Sequence, residues 1–124
     1  MFEYAARLVS VYDGDTCRLD CDLGFGVWYR TTCRLASINA IELHQPGGPQ
    51  ARDHLTQLLT GPLTVRSLGV DKYGGRFDGI ITANGQDVAQ RMVADGYAAV
   101  WDGKGPRPAP PWPIPSVGGT GPRP

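Results

Sequence analysis

Two stretches of strict alternation on either side of a glycine-rich break constrain this chain more than any other feature. Cys17, Leu19, Cys21 and Leu23 alternate with Arg18, Asp20 and Asp22; after Gly24-Phe25-Gly26, Tyr29, Thr31, Cys33 and Leu35 alternate with Arg30, Thr32 and Arg34. Successive strand side chains point to opposite faces, so a period of two predicts two strands with one face in a core, and the glycines supply the hairpin turn. Arg34 then points away from the face that carries Cys33 and Leu35. Upstream, Phe2 to Tyr12 is mostly apolar or β-branched and runs into Asp13-Gly14-Asp15, which predicts a first strand and its turn.

Helical spacing follows. After the loop Gln45-Pro46-Gly47-Gly48-Pro49, Ala51, Leu55, Leu58 and Leu59 fall at i, i+4, i+7 and i+8, one face of a helix that stops near Thr60-Gly61-Pro62. Leu63 to Leu68 and Phe77 to Thr82 predict two more strands, separated by a polar turn from Asp71 to Arg76, with Asn84-Gly85 closing the second. Asp87 can cap a second helix with Gln90 three residues on; Val88, Ala89, Met92 and Val93 are its inner face, and Gly96 suits its end. Three strands, a helix, two strands and a helix suit an α+β, mainly β fold: a five-stranded Greek-key barrel of the OB type, which leaves no free sheet edge. There is no internal repeat.

Composition bounds the rest. A chain of 124 residues, 41% hydrophobic, can bury one modest core, and its last fifth is too rich in proline and glycine to join it. One domain over residues 1–102 and an extended tail over 103–124 are expected, because proline supplies no amide donor. Twelve basic and twelve acidic residues cancel, so any grip on a polyanion must come from a local cluster. The N-terminus has no leader-like apolar core and no stretch approaches bilayer length, so the protein reads as soluble and cytoplasmic, without a membrane partner. Cys17 and Cys21 on one strand lie about 13 Å apart at roughly 3.3 Å per residue, too far to bridge, which leaves only Cys33 for a disulfide. Buried, reduced thiols are the simpler expectation. His44 and His54 have no zinc-like spacing to these cysteines.

Three patches carry chemistry. In Asp13-Gly14-Asp15-Thr16 two carboxylates flank a tight turn and can converge on one hard cation. Arg34 to Glu42 is an apolar strand with one arginine, ending in an amide and a carboxylate. Asp71-Lys72-Tyr73-Gly74-Gly75-Arg76 is a basic, aromatic turn able to hold phosphate. Each alone is most simply a turn or a solvated strand.

Together, in order and approximate spacing, they resemble the staphylococcal nuclease family over about residues 4 to 101. That family carries an Asp-Gly-Asp-Thr turn, then an arginine strand ending in Asp or Asn, any residue, Pro, Glu, then an Asp-Lys-Tyr-Gly-Arg turn. The resemblance implies a calcium-dependent nuclease that hydrolyses single-stranded or frayed DNA and RNA with little sequence preference and leaves 3′ phosphates, acting as an endonuclease or from a chain end; a monomer is expected. It implies metal ligands at Asp15, the Asn39 side chain and the Ala40 carbonyl, with Asp13 acting through water. It also implies a general base at Glu42, phosphate-clamping arginines at Arg34 and Arg76, and Lys72 and Tyr73 on a neighbouring phosphate. Trp101 stands near where the family stacks a base and can stack or pack against the tail.

Three departures qualify the match. Asn39 replaces the commoner aspartate and removes a negative charge, which weakens calcium binding. Ile41 replaces the proline before Glu42, so the loop loses a fixed dihedral. Gly75 is an extra residue that turns Arg76 to the wrong face unless a bulge absorbs it. Two other classes remain: a module that keeps the barrel and binds nucleic acid without turnover, and a structural or virion-associated protein whose proline-rich tail, with Trp112, docks on a protein partner. Small size and the missing leader also suit a bacteriophage product.

Overall fold

The first strand is long enough to belong to two halves of the molecule. In the computed structural model, which describes residues 2–70 and 75–108, β1 (Phe2–Asp13) pairs through Ala6 to Asp13 with β2 (Thr16–Asp22) and through Phe2 to Ala6 with β5 (Leu63–Val70), always antiparallel. Register shifts between Leu8 and Ser10 and between Val11 and Asp13 bend it, as bulges do. β2 pairs with β3 (Trp28–Leu35) as the alternation requires, Cys17 opposite Cys33 and Leu19 opposite Thr31. β5 pairs with β6 (Arg76–Ala83), and β6 lies parallel to β3 from Thr32↔Arg76 to Leu35↔Gly79. That last pairing closes the sheet into a five-stranded OB-type barrel in the order β1-β2-β3-β6-β5.

Shorter elements complete it. β4 (Ile38–Ala40) pairs with β8 (Ala98–Val100), and β7 (Gln86–Asp87) extends β6 across the turn Asn84-Gly85, whose φ values of 53° and 76° are those of a tight hairpin. Two helices, α1 (Gly48–Leu58) and α2 (Val88–Ala94), pack against the barrel. The Asp87 carboxylate caps α2 by accepting from the Gln90 N–H at 3.1 Å, and Gly96 beyond it has φ 87°. His54 of α1 lies 2.7 Å from Asp95 and stacks on Tyr97 at 4.3 Å, which ties the two helices together.

Leu19, Leu35, Val65 and Ile81 from the barrel and Leu55, Val88 and Met92 from the helices are fully buried, each contributing about 1.5–3 kcal/mol. The alternation fails near the hairpin tip and at Asp20. Leu23 is 43% and Tyr29 57% exposed because β2 and β3 run past the barrel end there. Asp20, expected on the solvated face, is covered by Arg30, which chelates it at 2.9 and 3.2 Å, with Arg7 at 3.8 Å. The Arg30 hydrogen bonds hold its carboxyl below the usual carboxylate range.

Cys17, Cys21 and Cys33 are free, buried thiols. Burial pushes Cys17 up to about 12 and raises Cys33 further, which suppresses the reactive thiolate. At about pH 8 an aromatic disulfide reagent is therefore expected to modify Cys17 and Cys33 only at the rate of global unfolding, and all three cysteines at once in guanidinium. Prompt reaction of the native protein at Cys17 would contradict this packing. Among the described residues no helix is long and apolar enough to cross a membrane.

Candidate active site

The turn between β1 and β2 is pressed against its neighbours. A Cβ on Gly14 would lie 2.7 Å from the Ala40 Cβ and 3.0 Å from the Ala51 Cβ, so only glycine lets the turn sit this deep. The depth brings Asp15 to β4: its Oδ2 accepts from the Ala40 N–H at 3.0 Å and its Oδ1 from the Thr16 hydroxyl at 2.9 Å. Asp13 Oδ1 accepts from the Asp15 N–H at 3.2 Å. Burial, and then the charge of Asp15, push the Asp13 carboxyl up to about 7. Two carboxylates held this close repel unless a positive charge joins them.

Arg34 is held as tightly. Its Nη1 donates to the Leu35 carbonyl at 3.1 Å and its Nη2 to the Ile38 carbonyl at 2.9 Å, spanning the turn between β3 and β4; Asp15 Oδ2 is 3.8 Å away. That turn carries Ser37 at φ 71°, a left-handed conformation that costs about 1–2 kcal/mol outside glycine and needs such fastening. The side chain is only 12% exposed.

Glu42 follows β4 on a loop closed by Gln45 N–H to the Glu42 carbonyl at 3.0 Å and Gly48 N–H to the Gln45 carbonyl at 2.8 Å. Its carboxylate is exposed and makes no hydrogen bond or ion pair among the described residues. Gly48, at the start of α1, lies so close that an added Cβ would clash with the Glu42 and Leu43 carbonyls. Gly48→Ala is thus expected to displace the Glu42 loop. If Glu42 takes part in catalysis, activity falls about a hundredfold while the far-ultraviolet circular dichroism stays native; unchanged turnover would show that the position of this loop does not matter.

The extra Gly75 takes φ 73°, and β5 has a register shift between Ser67 and Gly69, opposite Gly79 and Asp78 of β6. Arg76 emerges on the outer face with Asp78, while Phe77, Gly79 and Ile81 face inward. The result is a cleft of about 280 Å³ lined by Asp13, Asp15, Arg34, Asn39, Glu42 and Arg76, with Ala40 in its wall. Lys72 and Tyr73, like Trp112, lie outside the described residues. Trp101 borders an adjoining groove. Tyr12, His44 and Arg107 also line the cleft and were missed in the sequence, since none stands at a telling spacing. A larger recess of about 460 Å³ among Tyr4, Leu23, Tyr29 and Phe77 is chiefly apolar and holds no pair of acids, so the smaller cleft is the candidate site.

A family model described as staphylococcal nuclease homologue matches residues 32–109, more than half of the chain. The chain belongs to that family. No curated protein sequence matches it. In this staphylococcal nuclease homologue the matched span holds Arg34, Asn39, Ala40, Glu42 and Arg76, whereas Asp13 and Asp15 precede it. The Leu35 N–H, which donates to the Asp15 carbonyl at 2.8 Å, joins the two parts.

The donors fit a hard cation. Two carboxylates, an amide oxygen and a backbone carbonyl are oxygen ligands of the kind calcium takes, and the crowding of Asp13 against Asp15 is what such an ion would relieve. Among the described residues no three His, Cys, Asp or Glu side chains cluster, so the amide and carbonyl are needed to complete the set.

Proposed function

We propose that this staphylococcal nuclease homologue is a calcium-dependent phosphodiesterase that cleaves DNA or RNA with little regard to sequence and leaves 3′ phosphates. The observation that supports it is the convergence of paired aspartates, two arginines and an unpartnered glutamate, from four separate segments, in one cleft of a member of this family.

A phosphodiester repels the hydroxide that must attack it, so hydrolysis needs its charge offset, a water aligned opposite the leaving oxygen and a group to take the proton. Asp15, Asn39 and the Ala40 carbonyl, with Asp13 through water, would hold calcium, which when bound adds positive charge beside the phosphate. Arg34 and Arg76 pair phosphate oxygens through planar guanidinium forks. Glu42, free of internal partners, accepts a proton from the attacking water as the bond to the 5′ oxygen breaks.

A second reading keeps nucleic-acid binding without turnover. Asn39 in place of a carboxylate and Ile41 in place of proline favour it. Digestion of a 5′-labelled oligonucleotide decides: products whose mobility shifts after phosphatase treatment carry the expected 3′ phosphate, whereas a retarded but intact oligonucleotide supports the binding module.

A further inference from the structure

We propose that the segment from Trp101 to Pro108 is part of the active site, and that Arg107 is a third phosphate-binding guanidinium, holding the phosphate next to the one under attack. This rests on reading the cleft as a phosphodiesterase site, and it carries the functional unit past residue 102, into the stretch expected to be an extended tail.

The segment returns to the barrel instead of leaving it. Trp101 donates its N–H to the Ser37 carbonyl at 2.9 Å and its indole N–H to the Lys104 carbonyl at 3.1 Å, and the chain reverses at Gly103 and Gly105, φ 86° and 71°. At its end the Pro108 carbonyl accepts from Asn39 Nδ2 at 3.2 Å. An aspartate at 39 would set oxygen against oxygen there, so asparagine and the returning segment belong together. With Nδ2 committed to Pro108, the amide oxygen is the atom left for the cleft.

Arg107 stands between Pro106 and Pro108, whose rings restrict its backbone. It lines the acidic cleft and also an adjoining groove of about 630 Å³, as Arg34 and Arg76 do; Lys104, Asp78 and Asp102 border only the groove. No carboxylate pairs with Arg107 among the described residues, in contrast to Arg30, Arg34 and Arg66. The guanidiniums of Arg107 and Arg34 lie over the Trp101 ring at 5.2 and 5.6 Å. Trp101 is thereby a positioning residue, an electron-rich plate that aligns two cations along the path of a polyanion.

The test measures binding of a short single-stranded oligonucleotide by the full chain as a function of salt, in a Glu42→Gln background that prevents cleavage. Each phosphate contact contributes about 0.7 to the slope of log K against log salt. Arg107→Ala is expected to flatten the slope by about that amount and to weaken binding about tenfold at low salt. Trp101→Ala should do the same and Trp101→Phe restore it, while Arg66→Ala, which lines neither recess, leaves the slope unchanged. Without calcium, Asn39→Asp should speed tryptic cleavage after Lys104 by unseating Pro108. If Arg107→Ala keeps the parental slope, or Asn39→Asp leaves the cleavage rate unchanged, the inference is overturned while the cleft reading stands. A parental protein that binds no oligonucleotide at low salt overturns both.

Discussion

Replacing Arg34 by alanine is expected to lower kcat/KM on single-stranded DNA about a thousandfold, the scale on which preorganised charge at a transferring phosphoryl group acts. The guanidinium is nearly enclosed and held by the Leu35 and Ile38 carbonyls with Asp15 beside it, so little motion is needed to meet a phosphate. The same bonds fasten the left-handed turn at Ser37, so the variant also loses about 1.5–3 kcal/mol of stability as two charge-assisted bonds disappear. Arg34→Lys should not rescue either loss, because an ammonium cannot reach two carbonyls and a phosphate with a planar fork. Steady-state kinetics beside thermal melts check this; a variant that loses stability but keeps kcat/KM would confine Arg34 to the turn.

Glu42→Gln should behave differently. The carboxylate is exposed and bonds nothing among the described residues, so the amide is expected to leave the melting temperature and oligonucleotide affinity unchanged while kcat falls about a hundred- to ten-thousandfold. Pre-steady-state single-turnover rates isolate this step. A tenfold loss or less would mean that Glu42 only orients the water, and that another group takes the proton.

The barrel was legible because its strands obey one rule: inward side chains recur every second residue through Cys17, Leu19, Cys33, Leu35, Val65 and Ile81. Asn84-Gly85, Asp87 and Gly96 were legible because turns and caps demand particular residue types. The candidate site residues were picked out by motif, and the fold was needed to show that Asp13 and Arg76, far apart in sequence, share a cleft.

What stayed hidden depends on approach between distant backbones. Gly14 and Gly48 read as turn glycines, yet their missing Cβ atoms are what let β4 and the Glu42 loop close in. The three-residue strands β4 and β8 are too short for a period to register. Arg107 sits in a proline-rich stretch that composition assigned to a tail, and contacts distant in sequence, such as the Asn39 to Pro108 bond, reveal its return.

The most direct measurement is the cleavage of single-stranded DNA by the purified protein in millimolar calcium and in EGTA. Cutting in calcium that EGTA abolishes, and that returns when calcium is restored, is the expected result. DNA that stays intact in calcium, or is cut equally well in EGTA, would contradict the account.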